Sequence, residues 1–358
     1  MMGEKKTVFA GSLAIGGRHP VSIQTMTNTP TEDVAATSMQ IAQLAEAGAQ
    51  LVRVSVYSQE CAAAVRSLVD KSPVPLAADV HFDHLLAIAA VENGISKLRI
   101  NPGNIGDERK VAMLADCART HRVPIRVGVN SGSLPKDLVA QHGGPSAQSM
   151  VAAAERHIRL LEQAGFDDIV ISLKASDVRL TVEAYRLADK QFDYPLHVGV
   201  TEAGLPGQGT IKSAIGIGAL LLDGIGNTVR VSLTGSPLAE PKAARDILRA
   251  IGLVGAVQLI ACPTCGRTQV DVEGIAREVE QRTADITQPI KVAVMGCVVN
   301  GPGEAQEANV AYCGGKDVGA LYVDGQFVRK VTEHPADEIV SAVRDYLARQ
   351  AGHTEAGH

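Results

Sequence analysis

The 358-residue sequence has no apolar run long enough to cross a bilayer. Its most apolar stretch, residues 214–222, contains two glycines and falls well short of the roughly 20 residues that a membrane helix needs. Residues 1–6 carry two lysines, but residues 7–17 are broken by glycines and lack the hydrophobic region of a leader. We therefore expect neither a membrane span nor a signal peptide.

An excess of basic residues is also missing. The chain has 34 Lys and Arg against 39 Asp and Glu, which gives a formal net charge of -5. Because nucleic-acid binding depends on neutralising phosphates with positive side chains, this balance argues against a general nucleic-acid-binding protein.

Cysteine is scarce as well, with six in the whole chain. So few cysteines in so long a chain do not form a disulfide framework, and they favour a reducing cytoplasmic location. Cys61 and Cys117 lie in helix-like patterns, where cysteine acts as a small apolar residue.

Three other cysteines lie in two short motifs near the end of the chain. Cys262 and Cys265 form a C-x-x-C pair, a spacing that lets two sulfurs bind one metal centre. Cys297 follows an apolar run, residues 290–295, and begins a glycine-rich turn whose backbone amides can face sulfur. A metal or iron-sulfur site is favoured over a redox-active dithiol and over an inert buried pair.

Three thiolates leave the identity of a fourth ligand open. Iron-sulfur clusters and tetrahedral zinc usually take four protein ligands, and the nearest candidates in the sequence are Glu304 and Cys313. A thiolate-rich cluster holds an oxygen ligand less tightly than a sulfur ligand. Glu304 would therefore leave one iron able to exchange its ligand for a substrate oxygen, as a catalytic cluster requires.

Most of the chain alternates short β-rich runs with helical patterns in which apolar residues recur three and four positions apart. The β-rich runs are residues 19–25, 51–56, 75–80, 97–101, 124–129, 168–173, 195–200 and 228–233. Eight repeats over about 250 residues favour a closed parallel barrel over an open doubly wound sheet. We predict an α/β fold in which residues 1–251 form a (β/α)8 TIM barrel, with an extended rim loop at 130–146.

The periodicity changes after residue 251. The pattern predicts a helix at 267–285, strands at 290–295, 309–313, 320–323 and 326–331, and a last helix at 335–348. We predict a small α+β domain at 252–350 that carries the thiol motifs, followed by a polar tail at 351–358.

Polar side chains mark the ends of the predicted barrel strands, and five of the eight strands carry a cation there. The cations are Arg53, Arg99, Arg126, Lys174 and Arg230, and the other polar residues include Gln24, Thr27, Asp79, His81, Asn101, Asn130, His197, Thr201 and Ser232. Active sites of such barrels lie at the C-terminal strand ends, so the cations are expected to converge. The alternative is that the arginines face outward and form salt bridges with helices.

Convergent guanidinium groups match phosphate oxygens in bidentate geometry. The predicted ligand is therefore a small anion of high charge, for which a diphosphate is the best fit. Glu202, just after the seventh strand, is either an ion-pair partner of the arginines or a proton donor and acceptor. His81 and His197 could equally be core histidines, and the glycine-rich loops 101–106 and 204–209 could be plain turns.

Six segments together resemble the bacterial 4-hydroxy-3-methylbut-2-en-1-yl diphosphate synthases over nearly the whole chain. They are QTMTNT (24–29), LRINPGNIG (98–106), KASD (174–177), TEAG (201–204), CPTC (262–265) and GCVVNGPGE (296–304). The resemblance implies a 4Fe-4S cluster held by Cys262, Cys265, Cys297 and Glu304, which excludes Cys313 as the fourth ligand. It also implies a diphosphate site made of Arg53, Arg99, Arg126, Asn130, Lys174 and Ser232.

The implied activity is an iron-sulfur oxidoreductase reaction of the methylerythritol phosphate route to isoprenoids. The substrate would be 2-C-methyl-D-erythritol 2,4-cyclodiphosphate, opened and dehydrated with two single electrons from flavodoxin or ferredoxin. Glu202 and Glu304 would be catalytic, with Glu202 supplying the proton that leaves in water. The family resemblance further implies a homodimer in which the barrel of one chain works with the cluster domain of the other.

Two other functions are compatible with parts of the chain. A zinc-stabilised barrel could bind a phosphorylated ligand without redox chemistry, and an iron-sulfur sensor or scaffold could use the thiols alone. Neither accounts for both the cationic strand ends and the thiol motifs.

Overall fold

A computed structural model describes residues 4–105, 107–297, 303 and 306–355. The chain divides into two units, one ending at Ile251 and the other beginning at Gly252. Among the described helices, none combines the length and apolarity needed to span a membrane.

The first unit is built around an eight-stranded parallel sheet in the order β8-β7-β6-β5-β4-β3-β10-β9. Its strands are β3 Ser22–Met26, β4 Leu51–Ser55, β5 Leu76–Asp79, β6 Lys97–Ile100, β7 Ile125–Asn130, β8 Ile169–Lys174, β9 His197–Val198 and β10 Thr228–Val229. A parallel bridge between Ile171 and Leu196 joins the two ends of this order and closes the sheet. The predicted parallel barrel is confirmed.

Helices follow the strands and cover the outside of the barrel. They are α1 Val34–Glu46, α2 Gln59–Lys71, α3 His84–Glu92, α4 Pro102–Ile105, α5 Glu108–Thr120, α6 Lys136–Gln141, α7 Ala147–Gln163, α8 Val178–Gln191, α9 Gln208–Leu222 and α10 Ala239–Ala250. Several begin at an Asp or Ser whose side chain accepts a hydrogen bond from a first-turn amide, as at Asp33, Ser58 and Asp177. These caps satisfy backbone donors that the helix itself leaves unpaired.

A short antiparallel hairpin, β1 Val8–Ala10 and β2 Leu13–Ile15, precedes the barrel. Its apolar side chains form one buried cluster with Leu51, Ala77 and Val170 of the barrel strands. The turn residue Gly11 lies beside Pro75 and Ser96, which immediately precede β5 and β6. The hairpin therefore makes an apolar floor at the N-terminal end of the barrel.

The segment predicted as an extended loop at 130–146 contains a 3-10 turn, Ser131–Ser133, and the helix α6. Leu138 of α6 is buried, and α6 packs against α7. The prediction of an irregular loop was thus wrong here, because one buried leucine anchors a short helix that composition alone does not reveal.

The second unit is a five-stranded sheet with two described helices. The strands β11 Val257–Ala261, β12 Ile290–Met295, β13 Val310–Cys313, β14 Gly319–Val323 and β15 Gln326–Val331 follow one another across the sheet. The strands β11, β12 and β13 pair in parallel, whereas the pairs β13–β14 and β14–β15 are antiparallel. The helices α11 Val272–Arg282 and α12 Pro335–Glu355 contribute Val279, Ile339 and Val343 to its core.

The last helix corrects one prediction. It continues past residue 348 to Glu355, so most of the expected polar tail at 351–358 is helical. No proline interrupts this segment, and continuing an existing helix costs far less than starting one.

Candidate active site

A cavity of about 170 Å³ opens at the C-terminal end of the barrel. It is lined by Arg53, Asp79, His81, Arg99, Arg126, Asn130, Ser172, Lys174, Thr201, Arg230 and Ser232. Four arginines and one lysine thus face one carboxylate within the described lining. The six residues predicted to hold the diphosphate all lie here, and the structure places the arginines inside the barrel rather than on its outer face.

Asp79 organises one side of this cavity. Its carboxylate accepts a hydrogen bond from NH1 of Arg99 at 3.0 Å and lies 3.6 Å from Nε of Arg53. NH1 of Arg99 also contacts Nε2 of His81 at 3.0 Å. Burial alone would raise the pKa of Asp79, but Arg53, the hydrogen bond from His81 and Arg99 together hold it well below its usual range. The pair of arginines is therefore fixed by a carboxylate that stays ionised.

Glu240 plays the corresponding part for Arg230. It is a buried residue of α10 that accepts a hydrogen bond from Thr25 Oγ1 at 2.7 Å and lies 3.4 Å from Nε of Arg230. The amide of Leu233 donates to its other oxygen at 3.1 Å. Glu240 was not predicted from the sequence, because it lies inside a helix and not at a strand end.

Arg126 and Lys174 have no carboxylate partner in the described structure. Arg126 is 2% exposed, and both its Nε and NH1 lack a hydrogen-bond acceptor among the described residues. Nζ of Lys174 contacts Nε2 of the fully buried His197 at 3.4 Å. Burial, followed by neighbouring positive charges, lowers the pKa of Arg126, Lys174 and His197 well below their usual ranges. Such groups are suited to an incoming anion, which would supply the missing partner.

Two glycines make room for these cations. A Cβ at Gly128 of β7 would lie 2.7 Å from Nε of Arg99, and a Cβ at Gly199 would lie 3.0 Å from Nζ of Lys174. Neither position has a positive φ, so the requirement for glycine comes from space and not from backbone conformation.

Glu202 lies on the rim, beside the lining residue Thr201. Its side chain is exposed, and in the described structure it forms no ion pair with the arginines. Its backbone has a φ of 50°, a left-handed conformation that is unfavourable for a residue with a side chain. The ion-pair interpretation of Glu202 is not supported, whereas strained backbone of this kind is often found at functional positions.

The thiols of the second unit lie at the ends of neighbouring parallel strands. Cys262 follows β11, Cys297 follows β12 and Cys313 ends β13. The amide of Gly296 donates to the sulfur of Cys262 at 3.1 Å. Burial, followed by the charges of Cys297 and Cys262, raises the pKa of Cys313 to about 11.

Cys265 lies in the exposed loop after Cys262. Its backbone amide donates to Thr268 Oγ1 at 3.0 Å, and the backbone amide of Arg267 heads the interactions that lower the pKa of its thiol. Among the residues that the structure describes, no three Cys, His, Asp or Glu side chains are near enough to hold one metal ion. Glu304 lies outside the described residues. The set of soft sulfur donors, with a backbone N–H directed at one of them, nevertheless fits an iron-sulfur cluster.

Fold and site define the class of this protein. It is a (β/α)8 barrel with a cationic C-terminal mouth, followed by a small domain that carries four cysteine thiols. The family described as GcpE TIM-barrel domain matches residues 5–245, and the family described as GcpE protein C-terminal domain matches residues 258–347. The chain belongs to the GcpE family, which confirms the resemblance found in the sequence.

Similar proteins agree with this assignment. The 4-hydroxy-3-methylbut-2-en-1-yl diphosphate synthase (flavodoxin) of Clostridium perfringens is 49% identical over 342 residues, which cover 95% of this chain and 98% of the relative. The protein of the same name from Geobacillus thermodenitrificans is 51% identical over 346 residues, covering 96% and 92%.

A solved structure supports the barrel fold alone. The 3-dehydroquinate dehydratase of Geobacillus kaustophilus matches with a TM-score of 0.51 and 15% identity, over 70% of this chain and 97% of that protein. At this level of identity the match carries no information on the substrate.

Proposed function

We propose that this protein is a 4-hydroxy-3-methylbut-2-en-1-yl diphosphate synthase. In this reaction the ring of 2-C-methyl-D-erythritol 2,4-cyclodiphosphate is opened at a carbon-oxygen bond to phosphate, one oxygen leaves as water, and two electrons are consumed. The observation that carries the proposal is the cluster of four arginines and one lysine at the barrel mouth, in a chain about half identical to relatives named for this reaction.

The barrel mouth is proposed to bind the diphosphate. Arg126 and Lys174, which lack carboxylate partners in the described structure, would gain the most from phosphate oxygens. Arg53 and Arg99 line the same cavity and are held in place by Asp79. Asn130 and Ser232 add uncharged donors to the lining.

The thiols are proposed to hold a 4Fe-4S cluster through Cys262, Cys265, Cys297 and Glu304. When bound, such a cluster supplies electrons one at a time. The protein would orient the thiols toward the cluster. The backbone N–H of Gly296, which donates to the sulfur of Cys262, supports this role because such hydrogen bonds orient metal ligands. Glu304 is proposed as the fourth ligand because it belongs to the segment GCVVNGPGE (296–304), one of the segments that carry the family resemblance.

Glu202 is proposed to hold the proton that leaves with the lost oxygen. Its position beside Thr201, which lines the cavity, puts it next to the proposed substrate. Its exposed carboxylate is not committed to an ion pair in the described structure, and it is therefore available for proton exchange.

Flavodoxin is the proposed electron donor, because the relatives are named for it. A homodimer is proposed because the cations of the cavity and the thiols of the motifs belong to different units of one chain. Pairing two copies would let the barrel of one chain meet the thiols of the other. Ligand thiols favour a reducing cytoplasm.

The two alternative functions have less support. A zinc-stabilised barrel without redox chemistry has no support from the named relatives. An iron-sulfur sensor or scaffold would have no use for the cationic cavity.

Turnover tests the proposal directly. The protein, reconstituted with iron and sulfide under anaerobic conditions, would be incubated with the cyclic diphosphate and a reductant, and the product would be identified by mass. Formation of 4-hydroxy-3-methylbut-2-en-1-yl diphosphate is expected, and a protein that carries the cluster and binds the substrate but leaves it unchanged would refute the proposal.

A further inference from the structure

Lys97 is a buried cation beneath the cavity that no part of the proposed mechanism uses. It is the first residue of β6 and is 1% exposed. Because side chains alternate along a strand, Lys97 faces the barrel interior together with Arg99. Its neighbour in register is Ala77, which belongs to the apolar floor. Lys97 therefore lies one layer below the cavity, between the cavity and the floor.

The amine of Lys97 has no hydrogen-bond acceptor among the described residues. The charged and titratable side chains on the inner faces of β4 to β9 are Arg53, Asp79, Arg99, Arg126, Lys174 and His197. Arg230 and Glu240 complete the ring on the side of β10. The hairpin floor contributes no ionisable group.

Both carboxylates of this ring are already engaged. Asp79 interacts with Arg53 and Arg99, and Glu240 interacts with Arg230 and Thr25. An unpaired ammonium group buried among other cations is very unfavourable. Consistently, burial and the charges of Arg126 and Arg53 lower the pKa of Lys97 well below its usual range.

We propose that Lys97 takes up a proton when a diphosphate enters the cavity. Anion binding is then coupled to protonation of a lysine that lies below the binding site. This inference rests on the proposed diphosphate-binding role of the cavity. The negative charge of the ligand offsets the repulsion from the arginines, and the amine then becomes an additional cation that attracts the ligand. Binding should accordingly weaken as the pH rises.

Calorimetry with inorganic pyrophosphate tests this coupling. Titrations at about pH 8 in buffers with different heats of ionisation give the number of protons taken up per bound ligand. The full-length protein should take up about one proton more than its Lys97→Met variant. The variant should also bind pyrophosphate more weakly, by a factor on the order of ten. The ligand's own protonation is common to both proteins and cancels in the difference.

Methionine is close to lysine in volume and removes an unpaired buried amine, so the variant should fold with unchanged or higher stability. Lys97→Gln, which keeps a polar end without a titratable amine, should show the same decrease in proton uptake. Lys5→Met is the matched control. Lys5 is also largely buried, but its Nζ lies 3.1 Å from Asp189 and donates to two backbone carbonyls, so its loss should lower stability and leave proton uptake unchanged.

Pyrophosphate binding with the same proton uptake in the wild type and both Lys97 variants would overturn this inference and leave the proposed function intact. Failure of the wild type to bind pyrophosphate or the cyclic diphosphate would overturn both.

Discussion

At the scale of single residues, the cavity depends on a few carboxylates that hold arginines in place without neutralising the site. Asp79 contacts two arginines and Glu240 contacts one. Arg126 and Lys174 are left without such a partner in the described structure. The result is a site that is ordered before the ligand arrives and still carries excess positive charge for it.

Replacement of Asp79 by Asn should destabilise the protein at neutral pH by about 3 kcal/mol, because it leaves two buried guanidinium groups without their carboxylate. The pKa of Asp79 is lowered in the folded protein, so its stabilising contribution is complete above about pH 5 and is lost as the pH falls through the folded value. Urea unfolding of both proteins should therefore show a constant difference near neutrality that narrows in acid.

Asp246→Asn, which changes an exposed helix ion pair, serves as the control and should have little effect at either pH. A difference between wild type and Asp79→Asn that does not change with pH would contradict the role given to Asp79.

Replacement of Glu202 by Gln should lower kcat by a factor on the order of 100 or more, because the amide can no longer hold the proton. Pyrophosphate binding should be unchanged, since Glu202 does not line the cavity. Steady-state turnover and calorimetry measure the two effects separately. Glu183→Gln, an exposed position on α8, is the control, and unchanged turnover of Glu202→Gln would remove the proton role.

Residue types and strand position predicted much of this site. When several predicted strands each end with a cation, these side chains are expected to face the inside of the barrel. Arg53, Arg99 and Arg126 do so. Lys97 was missed because a lysine at the start of a strand usually lies in solvent. Glu240 was missed because only the packing of α10 against β3 brings it near Arg230.

At the scale of elements, parallel strand register determines which side chains meet. Arg99 of β6 pairs in register with Arg126 of β7, and Asn130 of β7 with Lys174 of β8. Strand and helix periodicity in the sequence was long enough to reveal the barrel. The strand β11 and the hairpin β1–β2 were not predicted. The two hairpin strands have three residues each, which is too few to show a period.

Substitution of Gly128 by Ala tests the fit of β7 against β6. The added methyl group would lie 2.7 Å from Nε of Arg99, so the guanidinium must shift away from its present position. Pyrophosphate affinity should fall by a factor on the order of ten, as expected when a charged contact is misplaced. The stability should change much less, because the end of a flexible side chain can move.

Gly218→Ala in α9 is the matched control, since a Cβ there meets no neighbouring side chain. It should leave binding unchanged and stabilise the helix by up to about 1 kcal/mol. Equal pyrophosphate affinities for Gly128→Ala and wild type would contradict the positioning of Arg99 by this strand pair.

At the scale of the whole molecule, the proposed chemistry is divided between two units. The anion cavity belongs to the unit ending at Ile251, and the thiols belong to the unit beginning at Gly252. Both units must therefore contribute to the proposed reaction, which a homodimer with shared sites would achieve.

Complementation between inactive chains tests this sharing. Arg126→Ala removes a cavity cation and Cys297→Ala removes a thiol ligand, so each variant alone should be inactive. If each site combines a barrel from one chain with thiols from another, one of the two sites in a mixed dimer is intact. A random mixture of dimers should then recover about a quarter of wild-type activity, and the purified mixed dimer about half. Co-expression with two different affinity tags allows the mixed dimer to be purified, and activity no greater than that of either parent would contradict the shared site.

The most direct test of the central claim is equilibrium binding of 2-C-methyl-D-erythritol 2,4-cyclodiphosphate, measured by anaerobic calorimetry on these two variants. Cys297→Ala should lose turnover yet still bind the substrate, whereas Arg126→Ala should bind it more weakly by a factor on the order of 100. Wild-type affinity in Arg126→Ala would contradict the claim that the cations of the barrel mouth hold the diphosphate.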